Sequence, residues 1–483
     1  MRRWSLPGLG SRIGATLHLP AQRGKRIAVV VAVLVLAAAA GTGVGFGAPV
    51  LVRHLTATDA VMATTPPPAP VIPHPALRPL ALDGPAPTRS GVGAVLDPLV
   101  TAGGLGTLSG QVVDPATGAV LWQQSPATAL VPGSTAKLLT CAAALLALDH
   151  QARLHTTVLA GSEPGTVVLV GGGDPTLSAA KPGTVTVYPE AARLDDLVDQ
   201  VQAAALDPVH RVLVDVHRYV GEAMAPSWLP ADVAGGYIAP IEPVMLDGAR
   251  ADPTQEVSPR AAKPATAAAA ELARRLGADP ETVAFGSAPP GAAVLGEVSS
   301  PPIEDLVATT LSKSDNVLAE VLAREVARAT GAQPSFSGAT QAVLTVLGDH
   351  GFDVSRATLM DGSGLSVQDA VPARLLTDLL SAAANPDESQ WRTAALRSML
   401  VGLPVAGSSG TLAERYVGPT AGGRGWVRAK TGTLTGVNSL AGTVLDAEGR
   451  VLVFALLSNG PNPVAVRPRL DALAAKLRSC GCR

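Results

Sequence analysis

The alternation of apolar and polar positions changes character three times along the chain. Residues 27–52 form a run of 26 without a charge, closed on either side by Arg26 and Arg53. As a helix such a run spans ~39 Å, more than the ~30 Å of a bilayer's hydrocarbon layer. Residues 64–89 hold nine prolines and no apolar period, which predicts an extended, semi-rigid spacer. Beyond residue 101 the periods of strands and helices take over. Residues 108–113 and 119–123, joined by Asp114-Pro-Ala-Thr-Gly118, read as a hairpin. Pro132-Gly-Ser-Thr-Ala-Lys137 is a polar entry to a helix reaching residue 148, with Ser134 at or beside its cap. Residues 155–160, 166–170 and 211–216 read as strands, and 191–205 and 265–276 as helices, the second closed by Gly277. Helices over 299–311 and 317–330 bracket the polar stretch Ser312-Lys-Ser-Asp-Asn316. An extended run at 427–433, strands at 439–445 and 451–458, and a helix near 464–477 complete the pattern.

These shifts divide the chain. Residues 1–26 carry six basic residues and no acidic one, which places them in the cytoplasm and everything after Arg53 outside. We therefore expect a basic segment (1–26), a transmembrane signal anchor (27–52) and a proline-rich linker (53–100). Cleavage after Ala38-Ala39-Ala40 is the competing expectation, and either outcome exports the bulk of the protein. The remaining 378 residues to position 478 are too many for one comfortable core. One domain is expected from 101–151 together with 296–478, with a second inserted at 152–295.

Composition narrows the function. A net charge of −2 and 3% aromatic residues argue against nucleic acid as a partner. The eight histidines are scattered, no His-Glu-x-x-His occurs, and no Cys/His spacing suits zinc, so neither metal nor cofactor is expected. Cys141 reads as a small buried hydrophobe, and Cys480-Gly-Cys482 as too short a loop for a comfortable bridge. Only seven of the 37 basic residues are lysines. Arginine cannot lose its proton in a protein whereas a buried lysine can, so Lys137 and Lys430 stand out.

Ser134 and Lys137 are one helical turn apart, with no charge from residue 138 to 148. Burial there favours a neutral amine able to take the serine proton. Two further motifs follow in order, Ser314-Asp315-Asn316 and Lys430-Thr431-Gly432. The trio is that of penicillin-binding proteins and class A β-lactamases. The surrounding Gly171-Gly-Gly-Asp-Pro-Thr-Leu-Ser178, Asp361-Gly-Ser-Gly-Leu-Ser366 and Gly407-Ser-Ser-Gly-Thr-Leu412 make the likeness closer. From about residue 101 to 478 the chain resembles the class C low-molecular-mass penicillin-binding proteins, the D-alanyl-D-alanine carboxypeptidase/endopeptidases of peptidase family S13.

The resemblance implies an α/β (α+β) fold, with a transpeptidase-like domain whose antiparallel five-stranded sheet is flanked by helices. It implies an inserted domain between the first two motifs, and the short stretch between Asp247 and residue 265 implies loss of a third domain. It implies a serine-type carboxypeptidase acting on peptidoglycan stem peptides through an acyl-enzyme, with β-lactams as covalent inhibitors. By the same resemblance Ser134 is the nucleophile, Lys137 the general base, and Ser314 the relay to the leaving amine. Asn316 would hold the substrate amide and Lys430 supply positive potential. The N–H groups of Ser134 and Thr433 would form the oxyanion hole, and Thr431, Gly432 and Thr433 the substrate-binding strand.

Two rivals use the same residues differently. A class A β-lactamase needs a glutamate after Ser-Asp-Asn, and none stands between Glu325 and Glu388. A silent peptidoglycan-binding envelope protein would not need all the polar motif residues. The balance of carboxypeptidase against endopeptidase stays open at this level.

Overall fold

The computed structural model describes residues 85–483. The expected basic segment, the anchor, and the spacer up to residue 84 lie outside the described residues. The described chain opens with α1 (Arg89–Thr101), β1 (Thr107–Asp114) and β2 (Ala119–Gln124), followed by a helical turn at Gly133–Ala136 and α2 (Lys137–Ala147). Next come β3 (His155–Ala160), β4 (Thr166–Val170), α3 (Leu194–Ala204), β5 (Arg211–Asp215), α4 (Pro264–Leu276), β6 (Ala284–Phe285) and β7 (Val294–Ser299). Four helices follow: α5 (Ile303–Lys313), α6 (Asn316–Ala329), α7 (Phe336–Asp349) and α8 (Ala373–Ala384). The chain ends with β8 (Val427–Leu434), β9 (Val437–Leu445), β10 (Val451–Asn459) and α9 (Pro463–Arg478).

The first sheet has the order β8-β9-β10-β1-β2, and every neighbouring pair is antiparallel. Its strand β10 explains the near-continuous apolar run at 452–457. Leu452, Phe454 and Leu456 face one core, shared with Val92 and Leu96 of α1 and Leu470 and Leu473 of α9. Val453, Ala455 and Leu457 face the other, shared with α2, α5, α6, α7 and α8. A strand covered on both sides has no polar face to alternate with. This is the α/β arrangement the sequence led us to expect, an antiparallel five-stranded sheet flanked by helices.

A second five-stranded sheet is formed by residues 155–299, in the order β6-β5-β4-β3-β7. It is mixed: β5 runs parallel to β4 and β6, while β3 is antiparallel to β4 and β7. The parallel step from β4 to β5 uses α3 as its crossover. Helices α3 and α4 bury Leu197, Val201, Ala269 and Leu272 against Val167, Leu169 and Val212. The loops of this segment also reach the helices packed on the first sheet, where Tyr188, Trp228, Ile238 and Met245 enter the core built by α2 and α6.

One expectation is corrected. The linker does not run to residue 100, because α1 begins at Arg89 and docks through Val92 and Leu96. The Thr88 hydroxyl caps it by accepting from Gly91 N at 3.0 Å. The proline-dense composition ends before this helix, and two apolar residues four apart suffice to bury its inner face. The C-terminal Cys480 and Cys482 lie side by side, with Cα atoms 4.8 Å apart. Both are buried beside α1, where Cys482 O accepts from Thr88 N at 2.6 Å.

Candidate active site

The three motifs meet at the edge of the first sheet. Ser134 lies in the turn Gly133–Ala136, directly ahead of α2. Its hydroxyl does not cap the helix; it accepts instead from Lys137 Nζ at 3.0 Å. Two glycines let strand β8 reach this turn. Gly133 has φ +53, and a Cβ on Gly432 would collide with Ser439 Oγ and Pro132 O and lie 3.0 Å from Ser134 N. Gly432 therefore brings the third motif into contact with the first.

Lys137 is fully buried and its amine has three partners. Besides Ser134 it donates to Asn316 Oδ1 at 2.5 Å and to the carbonyl of Ser363 at 2.6 Å. Burial, only partly opposed by the nearby carboxylates of Asp361, Glu320 and Asp315, lowers its pKa to about 8. A sizeable fraction of the amine is then neutral near pH 8 and can accept a proton. Cys141, one turn further along α2, is pushed up to about 12 by burial and stays a thiol.

The second motif lies between α5 and α6. Ser314 ends α5 with φ +57, a left-handed residue that breaks the helix and turns the tripeptide into the cleft. Asp315 caps α6, its Oδ1 accepting from Leu318 N at 2.9 Å. Asn316, the first residue of α6, spans the site: its Oδ1 meets Lys137 and its Nδ2 donates to Tyr237 O at 2.9 Å. From the third motif the fully buried Lys430 Nζ donates to Ser314 Oγ and to Thr431 O, both at 2.8 Å. Burial, reinforced by the neighbouring Lys137, holds its pKa well below the ordinary lysine value.

The cavity in front of Ser134 measures about 400 Å³ and is lined by Ser134, Ser314, Thr431 and Thr433, with Thr411, Glu414, Arg415 and Arg467 beyond them. Of the eight residues expected at the site, seven have side chains in this hydrogen-bonded cluster or cavity wall. The remaining one, Gly432, provides the close backbone approach.

Sequence reasoning missed several participants. Ser363 O, the third partner of Lys137, comes from the loop Asp361–Ser366. There Asp361 accepts from the N–H groups of Ser363, Gly364 and Ser366 and from Trp228 Nε1 at 2.6–3.1 Å. Glu320 of α6 supports the same loop, accepting from Gly362 N at 2.9 Å. Thr411, whose hydroxyl accepts from Thr431 at 2.8 Å, lies in the glycine-bearing loop at 407–412. Both loops are recognisable as motifs, but nothing in their residue types states which backbone carbonyl faces an amine.

The chain matches the model of the D-Ala-D-Ala carboxypeptidase 3 (S13) family over residues 93–259 and 249–479. Carboxypeptidase DacB of Mycolicibacterium smegmatis is 48% identical over 429 residues, 88% of this chain and 92% of that protein. The D-alanyl-D-alanine carboxypeptidase of an Actinomadura species is 29% identical over 462 residues, covering 77% and 81% of the two chains. Penicillin binding protein 4 (dacB) from Haemophilus influenzae shares the fold, with a TM-score of 0.66 and 21% identity over 79% of this chain and 98% of that one. With its motifs in one cleft and its sequence matched from residue 93 to 479, the chain belongs to the D-Ala-D-Ala carboxypeptidase 3 (S13) family.

Proposed function

We infer from the family and the cleft together that the chain is a penicillin-binding serine D-alanyl-D-alanine carboxypeptidase, a hydrolase of peptidoglycan stem peptides. The observation that carries this reading is the buried amine of Lys137 held 3.0 Å from the hydroxyl of Ser134. In the mechanism we propose, neutral Lys137 takes the Ser134 proton as the oxygen attacks the carbonyl of the penultimate D-alanine. The N–H groups of Ser134 and Thr433 stabilise the oxyanion. The C–N bond breaks as Ser314 passes a proton to the leaving amine, with Lys430 behind it at 2.8 Å. Thr431 and Thr433 hold the terminal carboxylate, and Asn316 the substrate amide. An arriving carboxylate also favours the charged form of Lys430, which supplies positive potential at the moment it is needed. Water then cleaves the Ser134 ester, with proton transfer again through Lys137.

Purified protein lacking residues 1–84, incubated with a pentapeptide-bearing muropeptide, is expected to release one D-alanine per stem, read by mass spectrometry. Ser134→Ala is expected to lose both this release and labelling by a fluorescent penicillin. Penicillin labelling that survives the substitution would overturn the assignment of the nucleophile. Cross-linked muropeptides in the same assay report the endopeptidase activity that we propose alongside.

We also propose that residues 27–52 anchor the protein in the membrane, with the catalytic part outside the cytoplasm. The length of that run and its basic flank support this reading. Fractionation of full-length protein against a version lacking residues 1–52 tests it: full-length protein that partitions with the soluble fraction would refute the anchor.

A further inference from the structure

Asp315 is the one charged residue of the three motifs given no chemical step, yet it sits in a dense network of contacts. Its carboxylate is buried and accepts from Tyr188 OH at 3.0 Å and from Arg250 Nη2 at 2.6 Å, in addition to Leu318 N. Tyr188 and Arg250 both come from the segment that carries the second sheet, not from the motif-bearing elements. Arg250 has only 3% of its side chain exposed, lies 4.8 Å over the Tyr188 ring and donates to Asp247 O at 3.1 Å. The chain arrives at Arg250 through three successive left-handed residues, Asp247 (φ 53), Gly248 (φ 62) and Ala249 (φ 63). Two of these are not glycine, and such a backbone persists only where its surroundings over-determine it. A Cβ on Gly248 would collide with Tyr188 OH, so the turn and the Asp315 pocket are built against each other. Arg260 braces the same turn, donating to Gly248 O at 2.5 Å and to Gly236 O at 3.1 Å, one residue before the Tyr237 carbonyl that holds Asn316.

We propose that Arg250 is a positioning residue for the acylation step: it neutralises Asp315 inside the Ser-Asp-Asn turn, so that no bare carboxylate faces Lys137 while Asn316 is held on the amine. The segment carrying the second sheet then sets the protonation of a base that lies outside it. This rests on the function proposed above. The charged and titratable groups facing Lys137 are Asp315 and Glu320 at the start of α6, Asp361 of the adjoining loop, Lys430 of β8 and Cys141 on its own helix. Of these, Asp315 is the one in a direct ion pair with a buried arginine, Arg250, at 2.6 Å; Arg250 and, behind it, Arg260 hold its pKa down at about 2 against the effect of burial.

The experiment is the pH dependence of Ser134 acylation by a fluorescent penicillin, which in the wild type is expected to rise through about pH 8 as Lys137 loses its proton. Arg250→Met leaves Asp315 uncompensated, favours the ammonium form and is expected to move that limb upward by about one pH unit. Asp315→Asn is expected to move it downward, and Arg250→Lys to leave it in place. The double variant Arg250→Met with Asp315→Asn is expected to return near the wild-type limb. A limb that stays put in Asp315→Asn, or Arg250→Met changes that scale the rate equally at every pH, would overturn the proposal and leave Arg250 a packing residue. If Arg250→Met does not fold, Asp315→Asn and Arg250→Lys decide the matter. A wild type that penicillin does not acylate at Ser134 would instead sink the functional reading itself.

Discussion

Strand β10 of the first sheet buries seven consecutive residues, whereas β3 of the second buries only Thr156 and Val158. The first sheet has helices on both faces and the second only on one, with β5 and β7 likewise alternating between buried and open positions. The difference bears on what each can hold. Within the first sheet the edge strand β8 keeps the amine of Lys430 fully buried at a defined point, because the neighbouring packed backbone cannot yield. The second sheet holds no part of the three motifs, and its influence on the reaction passes through the loops that leave it. Those loops form polar cross-links to the catalytic side: Arg250 to Asp315, Arg218 and Tyr219 to Glu325, and Trp228 to Asp361. One sheet locates the chemistry and the other braces it.

The contrast is sharpest at Lys137. Lys137→Met keeps the volume and removes a buried amine, so acylation is expected to fall by about 10³-fold, while thermal stability is unchanged or higher. Stopped-flow acylation and a melting curve on the same sample check both halves. A loss of fold alongside activity would mean the amine is structural.

Leu169, fully buried in β4, provides the opposite case. Leu169→Ala is expected to cost about 3 kcal/mol of stability in urea unfolding. The folded fraction should acylate at the wild-type rate, and a slowed rate would show that the second sheet acts on the site more directly than its loops allow.

The cross-links should fall between these extremes. Glu325 accepts from Arg218 at 2.6 and 2.8 Å and from Tyr219 at 2.9 Å. Removing it as Glu325→Ala strands a partly solvated arginine and is expected to destabilise by about 2 kcal/mol, less than a fully enclosed pair. Unchanged stability would mean that apolar packing alone joins the two regions.

The smallest effect is a pH slope. Burial, with the Asp361 carboxylate beside it, raises Glu320 to about 8, and burial with the same neighbour raises Asp369 to about 9. For carboxyls raised in the folded state, the native protein holds more protons than the unfolded chain. Their contribution to stability is therefore complete below their unfolded values of 4.5 and 3.8, and fades as the pH climbs through about 8 to 9. Denaturation curves are expected to shift to lower denaturant over that interval. Glu320→Gln should flatten the slope by about 1 kcal/mol across it. A variant with the full wild-type slope would place the titration elsewhere.

Much of this architecture was readable before any fold was known. Strands at 155–160 and 166–170 coincide with β3 and β4, and Gly277 ends α4 in the left-handed conformation its type suggests. Periodicity and glycine chemistry are local, and local rules survive folding. The helix at Arg89–Thr101 was hidden because proline density just before it dominated the reading, and its two buried residues make a weak period. The partners of the Lys137 amine were hidden for another reason. Lys137 and Ser363 are 226 positions apart, and Arg250 and Asp315 65 apart, with no pattern in either stretch that names the other.

By itself, then, the sequence determined where the three motifs stand, their order, and the helices and strands that present them. A serine, a lysine one turn on and two short polar motifs are chemical facts that need no coordinates. The tertiary structure alone decided that a backbone carbonyl completes the shell of Lys137, that Tyr237 holds Asn316, and that Asp315 faces an arginine from another layer. Those are matters of distance and burial: a carboxylate or an amine acquires its working protonation from what desolvates it and what stands beside it, and both are set only when remote segments pack.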